Sequence, residues 1–204
     1  MFIKKISFLL IILIFYQTPT YSKSTTFEDL NSKSLSKYFS GIVAFGNKNN
    51  SKALDFFNTS KILLDKHDPY LKNYIYSLVL ENKVQYAINL VKKNKGKENS
   101  NFFDAYLLLI LDSIKKNDFV EAYNYLSDAK NFSQKERFNL AILETLKHYI
   151  YVFKEKTFLN EKKNFGNLSV ISDTFERCYL GDKNTSVYFS QLFNNSKTDY
   201  SRYI

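Results

Sequence analysis

A chain of 204 residues is long enough for one domain or one short solenoid, and its 45% apolar content supplies a core, which argues against intrinsic disorder. Five Gly and two Pro are too few for the many tight turns of a β-rich fold, so long helices joined by short polar loops are expected. The net charge of +9 rests almost wholly on Lys; only Arg137, Arg177 and Arg202 could read phosphate or guanine bidentately, and that scarcity argues against a nucleic-acid partner.

The abundant Lys, Asn, Ile, Phe and Tyr share AT-rich codons. Codon composition alone therefore accounts for the basic charge and for the 16 Tyr and 19 Phe, and neither is a functional signal.

Residues 1–22 have the three parts of a secretory signal: Lys4 and Lys5, the apolar run from Ile6 to Tyr16, and small residues Thr20 and Ser22 flanking Tyr21. Cleavage near Ser22 is expected, with export to the periplasm or cell envelope. Retention as an N-terminal anchor is the other reading, although the run falls short of the roughly 20 residues of a spanning helix. Nothing later in the chain is apolar enough to span a bilayer, so no stable membrane span is expected after cleavage. Residues 23–34 read as a flexible N-terminal segment.

Three segments then repeat one pattern, at 41–57, 75–91 and 110–126. In each, an apolar helical stretch meets a short Asn/Lys turn, then an Ala, then an apolar residue one helical turn on. Ala53, Ala87 and Ala122 lie 34 and 35 residues apart. Two antiparallel helices need a small residue where their axes approach most closely, and these alanines fit that place; Phe57, Val91 and Leu126 fill the seam one turn later. The turns at 47–51, 81–83 and 116–118 supply helix stops and N-caps, and Asp68 before Pro69 marks a helix start.

This pattern resembles the tetratricopeptide repeat family over residues 35–132. Gly41 matches the family's small residue near the repeat start. Asn117-Asp118-Phe119 echoes its turn, and Ala53, Ala87 and Ala122 its central Ala. The family's early aromatic falls on Lys37, Leu71 and Tyr106, so only the third unit keeps it, and its later small residue falls on Ser60, Asn94 and Ala129. The resemblance implies an all-α fold: an α-solenoid of antiparallel helical hairpins, three of them over 35–132.

Residues 133–204 read as degenerate helical repeats of a truncated array, or as an end that pairs with a partner. Ser133 and Glu136 form a capping-box pattern opening a helix to about Lys156; a polar loop follows, then a hairpin of 168–180 and 185–193 about Gly181-Asp182, with Ser186 in the Ala position. The lone Cys178 permits no internal disulfide, and its apolar neighbours Phe175, Tyr179 and Leu180 suggest a buried small hydrophobe.

No residue pattern points to catalysis. His67 beside Asp65 and Asp68 reads as a helix cap rather than a metal site, and His148 as a packed or surface histidine. Asp104 and Asp112, two turns apart, read as solvated charge. The chain contains no metalloprotease, serine-hydrolase, phosphate-loop or dinucleotide motif. No catalytic residue, metal site or cofactor is expected.

Stacked hairpins curve, and their first helices line a concave groove. If the repeat register holds, Tyr38, Ile42, Phe45, Lys72, Tyr76, Val79, Leu107, Leu111 and Lys115 face it; the alternative is that they are core between repeats. The expected function is a non-enzymatic protein–protein scaffold of the periplasm or envelope, holding a partner's amphipathic helix or extended peptide, with Lys meeting acidic groups at the rim. The alternatives are a helical accessory domain of an envelope enzyme complex and a basic surface module binding anionic polymer or lipid.

Overall fold

With so few residues that break helices, the chain runs from one helix into the next. The computed structural model describes residues 31–133, 136–159 and 163–194. Among these it is all-helical, with nine α-helices, two 3-10 turns (Lys61–Leu63 and Glu98–Ser100) and no strand. The helices are α1 (Ser32–Gly46), α2 (Asn50–Thr59), α3 (Asp68–Leu80), α4 (Val84–Asn94), α5 (Phe103–Lys115), α6 (Phe119–Ser133), α7 (Arg137–Glu155), α8 (Asn167–Tyr179) and α9 (Thr185–Phe193). The signal-type segment 1–22, most of the segment 23–34, the centre of the capping box and residues 195–204 lie outside the described residues. Among the described residues no helix is long and apolar enough to cross a membrane.

Each helix packs chiefly on its neighbours in the chain: α1 on α2, α5 on α6, and α6 on α7 most extensively. The turns inside the first three helix pairs are built alike. Lys48, Asn82 and Asn117 adopt left-handed φ of 60°, 58° and 58°, and they recur at the same 34- and 35-residue spacing as the alanines. The next amide donates back to the helix: Asn49 N–H to Ala44 C=O (2.9 Å), Lys83 N–H to Leu78 C=O (2.8 Å) and Asp118 N–H to Ser113 C=O (2.9 Å). This motif satisfies carbonyls that a helix end leaves bare. The turn between α8 and α9 repeats it, with Gly181 at φ 70° and Asp182 N–H donating to Arg177 C=O at 3.0 Å.

Side-chain oxygens start several helices. Asn31 accepts from Lys33 N–H (3.0 Å), Asn49 from Lys52 N–H (3.2 Å) and Asp118 from Glu121 N–H (3.0 Å). The Asn31 cap explains why α1 already begins at Ser32, within the segment expected to be flexible. At α3 the cap is His67 rather than Asp68, with Pro69 in the first turn. At α7 the start lies later than the sequence suggested: Ser133 is the last residue of α6, and α7 begins at Arg137 behind Glu136, which makes no side-chain capping bond.

The core follows the repeat register. Ala53, Ala87 and Ala122 are fully buried, as are Phe57, Val91 and Leu126 to within 2%. Each of these three larger side chains contributes about 1.5–3 kcal/mol by burial. Ser60, Asn94 and Ala129, at the next equivalent place, are buried as well. Ser60 Oγ and Asn94 Nδ2 keep their hydrogen bonds by donating to the Phe56 and Leu90 carbonyls of their own helices.

Asp112 joins the second helix pair to the third. It is buried on α5, where Lys92 of α4 and Lys116 donate to its Oδ2 at 3.2 and 2.7 Å. Asp104, for its part, is half-buried and hydrogen-bonded to Tyr76. Neither is the solvated charge that the sequence suggested.

The C-terminal helices depart further from expectation. α8 buries Ser172, Thr174 and Glu176 and exposes Val170, Phe175 and Tyr179. Its polar side meets α7, where His148 Nδ1 lies 4.0 Å from Glu176 Oε1 and Ser172 Oγ donates to the same oxygen at 3.3 Å. Because the polar side turns inward, Cys178 is exposed rather than buried.

Candidate functional site

The face shared by α1, α3 and α5 carries an apolar groove of about 410 Å³. Its walls are Phe45 of α1, Ile75, Tyr76, Val79 and Leu80 of α3, and Asp104, Leu107, Leu108 and Leu111 of α5. These three helices open the three helix pairs, so corresponding turns of the repeat contribute to one surface. On α5, Asp104, Leu108 and Leu111 stand one helical turn apart, along a single stripe.

Five residues expected from the sequence meet here: Phe45, Tyr76, Val79, Leu107 and Leu111. Leu111 is 51% exposed and Phe45 is half-buried, so the groove keeps its apolar surface open to solvent. The Phe45 and Tyr76 rings stack with centroids 6.4 Å apart and planes inclined at 23°. Tyr76 Oη donates to Asp104 Oδ2 at 2.6 Å, tying α3 to α5 at the edge of the groove. Burial, and then that carboxylate, push the Tyr76 phenol well above its ordinary range and keep it a neutral donor.

The other four lie elsewhere. Tyr38 is in the core, its ring between Phe57, His67 and Tyr70, and its hydroxyl accepts from Asn73 Nδ2 at 3.0 Å. A phenol that packs with three rings and finds a polar partner gains more there than on an open groove. Ile42 is half-buried against the core. Lys72 is exposed, with Nζ 5.6 Å from the Tyr76 ring and 5.7 Å from the Phe102 ring. Lys115 is exposed at the last position of α5.

Sequence reasoning missed Ile75, Leu80, Asp104 and Leu108. Helical spacing would have found two of them, since Asp104 and Leu108 repeat the stripe of Leu111. Ile75 and Leu80 carry no such mark, because α3 is apolar around most of its circumference.

A larger hollow of about 600 Å³ runs along the α1–α2 edge, past Phe39, Val43, Phe56, Asn47 and Lys52. It contains none of the expected groove residues. Phe39 and Val43 are 58% and 64% exposed there.

Chemically, the groove on α1, α3 and α5 offers apolar surface to a ligand. Its polar residues, Tyr76 and Asp104, hydrogen-bond to each other through Tyr76 Oη and Asp104 Oδ2, so an incoming apolar side chain leaves that bond in place. Comparison with known proteins gives no matching family model, no similar curated protein and no similar solved structure.

Proposed function

We propose that this chain is a non-enzymatic scaffold of the periplasm or cell envelope, in which tetratricopeptide-like helical hairpins form a solenoid. It holds a short amphipathic segment of a protein partner in the groove on α1, α3 and α5. The observation that carries this reading is the groove itself: five positions derived from the repeat register converge on one open apolar surface. The three alike turns and the buried alanines support the hairpin repeat. Export rests on the charge and hydropathy pattern of residues 1–22.

The occupant follows from the chemistry. Two or three aliphatic or aromatic side chains, spaced as on one helical face, fill the groove between Phe45 and Leu111. Lys72 and Lys115 are exposed cations on α3 and α5, two of the three helices that form the groove, so acidic residues flanking the apolar ones complete the match.

Selection of random peptides displayed on phage against the purified chain tests the reading. Enrichment of sequences with spaced apolar residues and flanking Asp or Glu is expected. Leu111→Glu should abolish their binding, and because Leu111 is half exposed the variant keeps the fold. Failure to enrich any family of peptides, or equal binding to the variant, would refute groove-mediated scaffolding.

A further inference from the structure

A second cleft, of about 540 Å³, lies where four elements converge: α3, the approach to α5, the end of α6 and the start of α7. Its chemistry differs from that of the apolar groove. Three side-chain amides line it, Asn101, Asn131 and Asn139, together with the Asp104 and Glu136 carboxylates and the Lys72 ammonium. The half-buried Phe102 and the exposed Phe132 supply apolar surface beside them, over the buried Phe103.

We infer that this cleft is a saccharide-binding site. A sugar hydroxyl both donates and accepts, and the side chain best matched to a row of hydroxyls is an amide, with two donors and an accepting oxygen on one small plane. A carboxylate takes the hydroxyl protons that an amide leaves, and an ammonium serves the ring oxygens. The C–H faces of a pyranose are apolar and weakly positive, which suits the negative face of an aromatic ring. All these elements are present. Phe132 is stacked on Tyr106 at 5.2 Å and 18°, and it retains 36% of its surface in solvent.

The polar groups are also available. Among the described residues the Asn131 and Asn139 side chains make no hydrogen bond within the chain. Asn101 uses only its Oδ1, which accepts from Tyr106 Oη at 3.4 Å. Asp104 gives Oδ2 to Tyr76 and leaves Oδ1 without a partner. A peptide would be served by the amides, but it has less use for two carboxylates beside three amides. A hydrocarbon chain would desolvate all of them without return. A short saccharide uses every group in the cleft, and a volume of this size falls in the range of small-ligand sites.

The test is saturation-transfer NMR and calorimetry on the full chain with three probes: maltotetraose, the N-acetylglucosamine tetramer and an uncharged Gly-Ser peptide. Binding of at least one tetrasaccharide at millimolar concentration is expected, with no binding of the peptide. Asn131→Ala combined with Asn139→Ala removes two hydrogen-bonding groups that the fold does not use, and should weaken binding about thirtyfold. Phe132→Leu should weaken it as well, whereas Leu111→Glu, which blocks the apolar groove, should leave it unchanged. That last comparison separates this site from the scaffold reading. Three results would overturn the inference: no saturation transfer to either sugar, sugar binding unaltered in the double variant, or peptide binding equal to that of the sugars.

Discussion

Gly41 of α1 lies against the Phe57 ring of α2, and the geometry fixes what its replacement should do. A Cβ built there would lie 2.8 Å from Phe57 Cε1, 3.0 Å from Cδ1 and 3.1 Å from Cζ. Carbon atoms in contact prefer about 3.5–4.0 Å, so the ring must retreat by several tenths of an ångström. It has little freedom to do so. Phe57 is fully buried, edge-on to Tyr70 with centroids 6.1 Å apart, and Tyr38 packs at 5.9 Å. Overpacking of this kind costs about 1–3 kcal/mol. Against it stands a gain of about 1 kcal/mol from replacing Gly by Ala inside a helix. The expected net effect of Gly41→Ala is therefore a loss of about 1 kcal/mol, or roughly 2–4 °C in melting temperature for a chain of this size.

A companion pair isolates the cause. Gly46 ends α1 with nothing near its missing Cβ, so Gly46→Ala should be neutral or stabilising. In a Phe57→Leu background the ring is gone, and there Gly41→Ala should stabilise by about 0.5–1 kcal/mol. Urea unfolding followed by circular dichroism, with tyrosine fluorescence as a second probe, gives the midpoints. A Gly41→Ala protein that melts with or above the parent would mean that α1 and α2 do not approach at this position. The described packing of α1 on α2 would then be wrong.

Three further outcomes follow from local geometry. Lys48 holds a left-handed φ that costs a side-chain-bearing residue about 1 kcal/mol, so Lys48→Gly should raise the urea midpoint; a fall would contradict the turn. Burial pushes the Asp112 carboxyl up, but the hydrogen bonds from Lys116 and Lys92 outweigh it and hold the group below its usual range. A carboxyl depressed in the fold stabilises fully above its unfolded value near 3.9 and loses that contribution as pH falls through the lower folded value. Asp112→Asn should thus cost about 1 kcal/mol at pH 7, the two lysines being 34% and 53% exposed, and the gap to the parent should narrow steadily as the pH falls below the unfolded value. Cys178 should react completely with a thiol reagent in the absence of denaturant, and protection until unfolding would place α8 the other way round.

The all-helical course was legible because its signals are local. An Asn-bearing turn, an Ala and an apolar residue one turn later recur at fixed spacing, and each depends on geometry within two adjacent helices. The positions of Phe45, Tyr76, Val79, Leu107 and Leu111 followed from the same spacing. Tyr38 escaped because its neighbours His67 and Tyr70 come from beyond the first hairpin, and periodicity along α1 gives no warning of them. α8 was misread for a related reason. Its apolar residues mark a stripe, but what α7 offers opposite includes His148, so the polar stripe is the one that turns inward. Cys178, placed inside by its apolar neighbours in sequence, moved outside with them. The cleft beside Asn101, Asn131 and Asn139 draws on four elements, and no window of sequence contains it.

The seam between α7 and α8 has a consequence for how the molecule comes apart. Glu176, Ser172 and His148 bring polar groups into this contact, whereas the first three helix pairs bury Phe57, Val91 and Leu126 beside an Ala, so separating α7 from α8 should expose less apolar surface than parting one of those pairs. Water can satisfy the freed polar groups at once. In native-state hydrogen exchange the amides of α8 and α9 should therefore trade protons through a sub-global opening that leaves α1–α7 protected. Those of α3 and α5, which floor the groove, should exchange only when the whole chain unfolds. The α8–α9 pair should then behave as a detachable cooperative unit, while the apolar groove belongs to the part that stays closed.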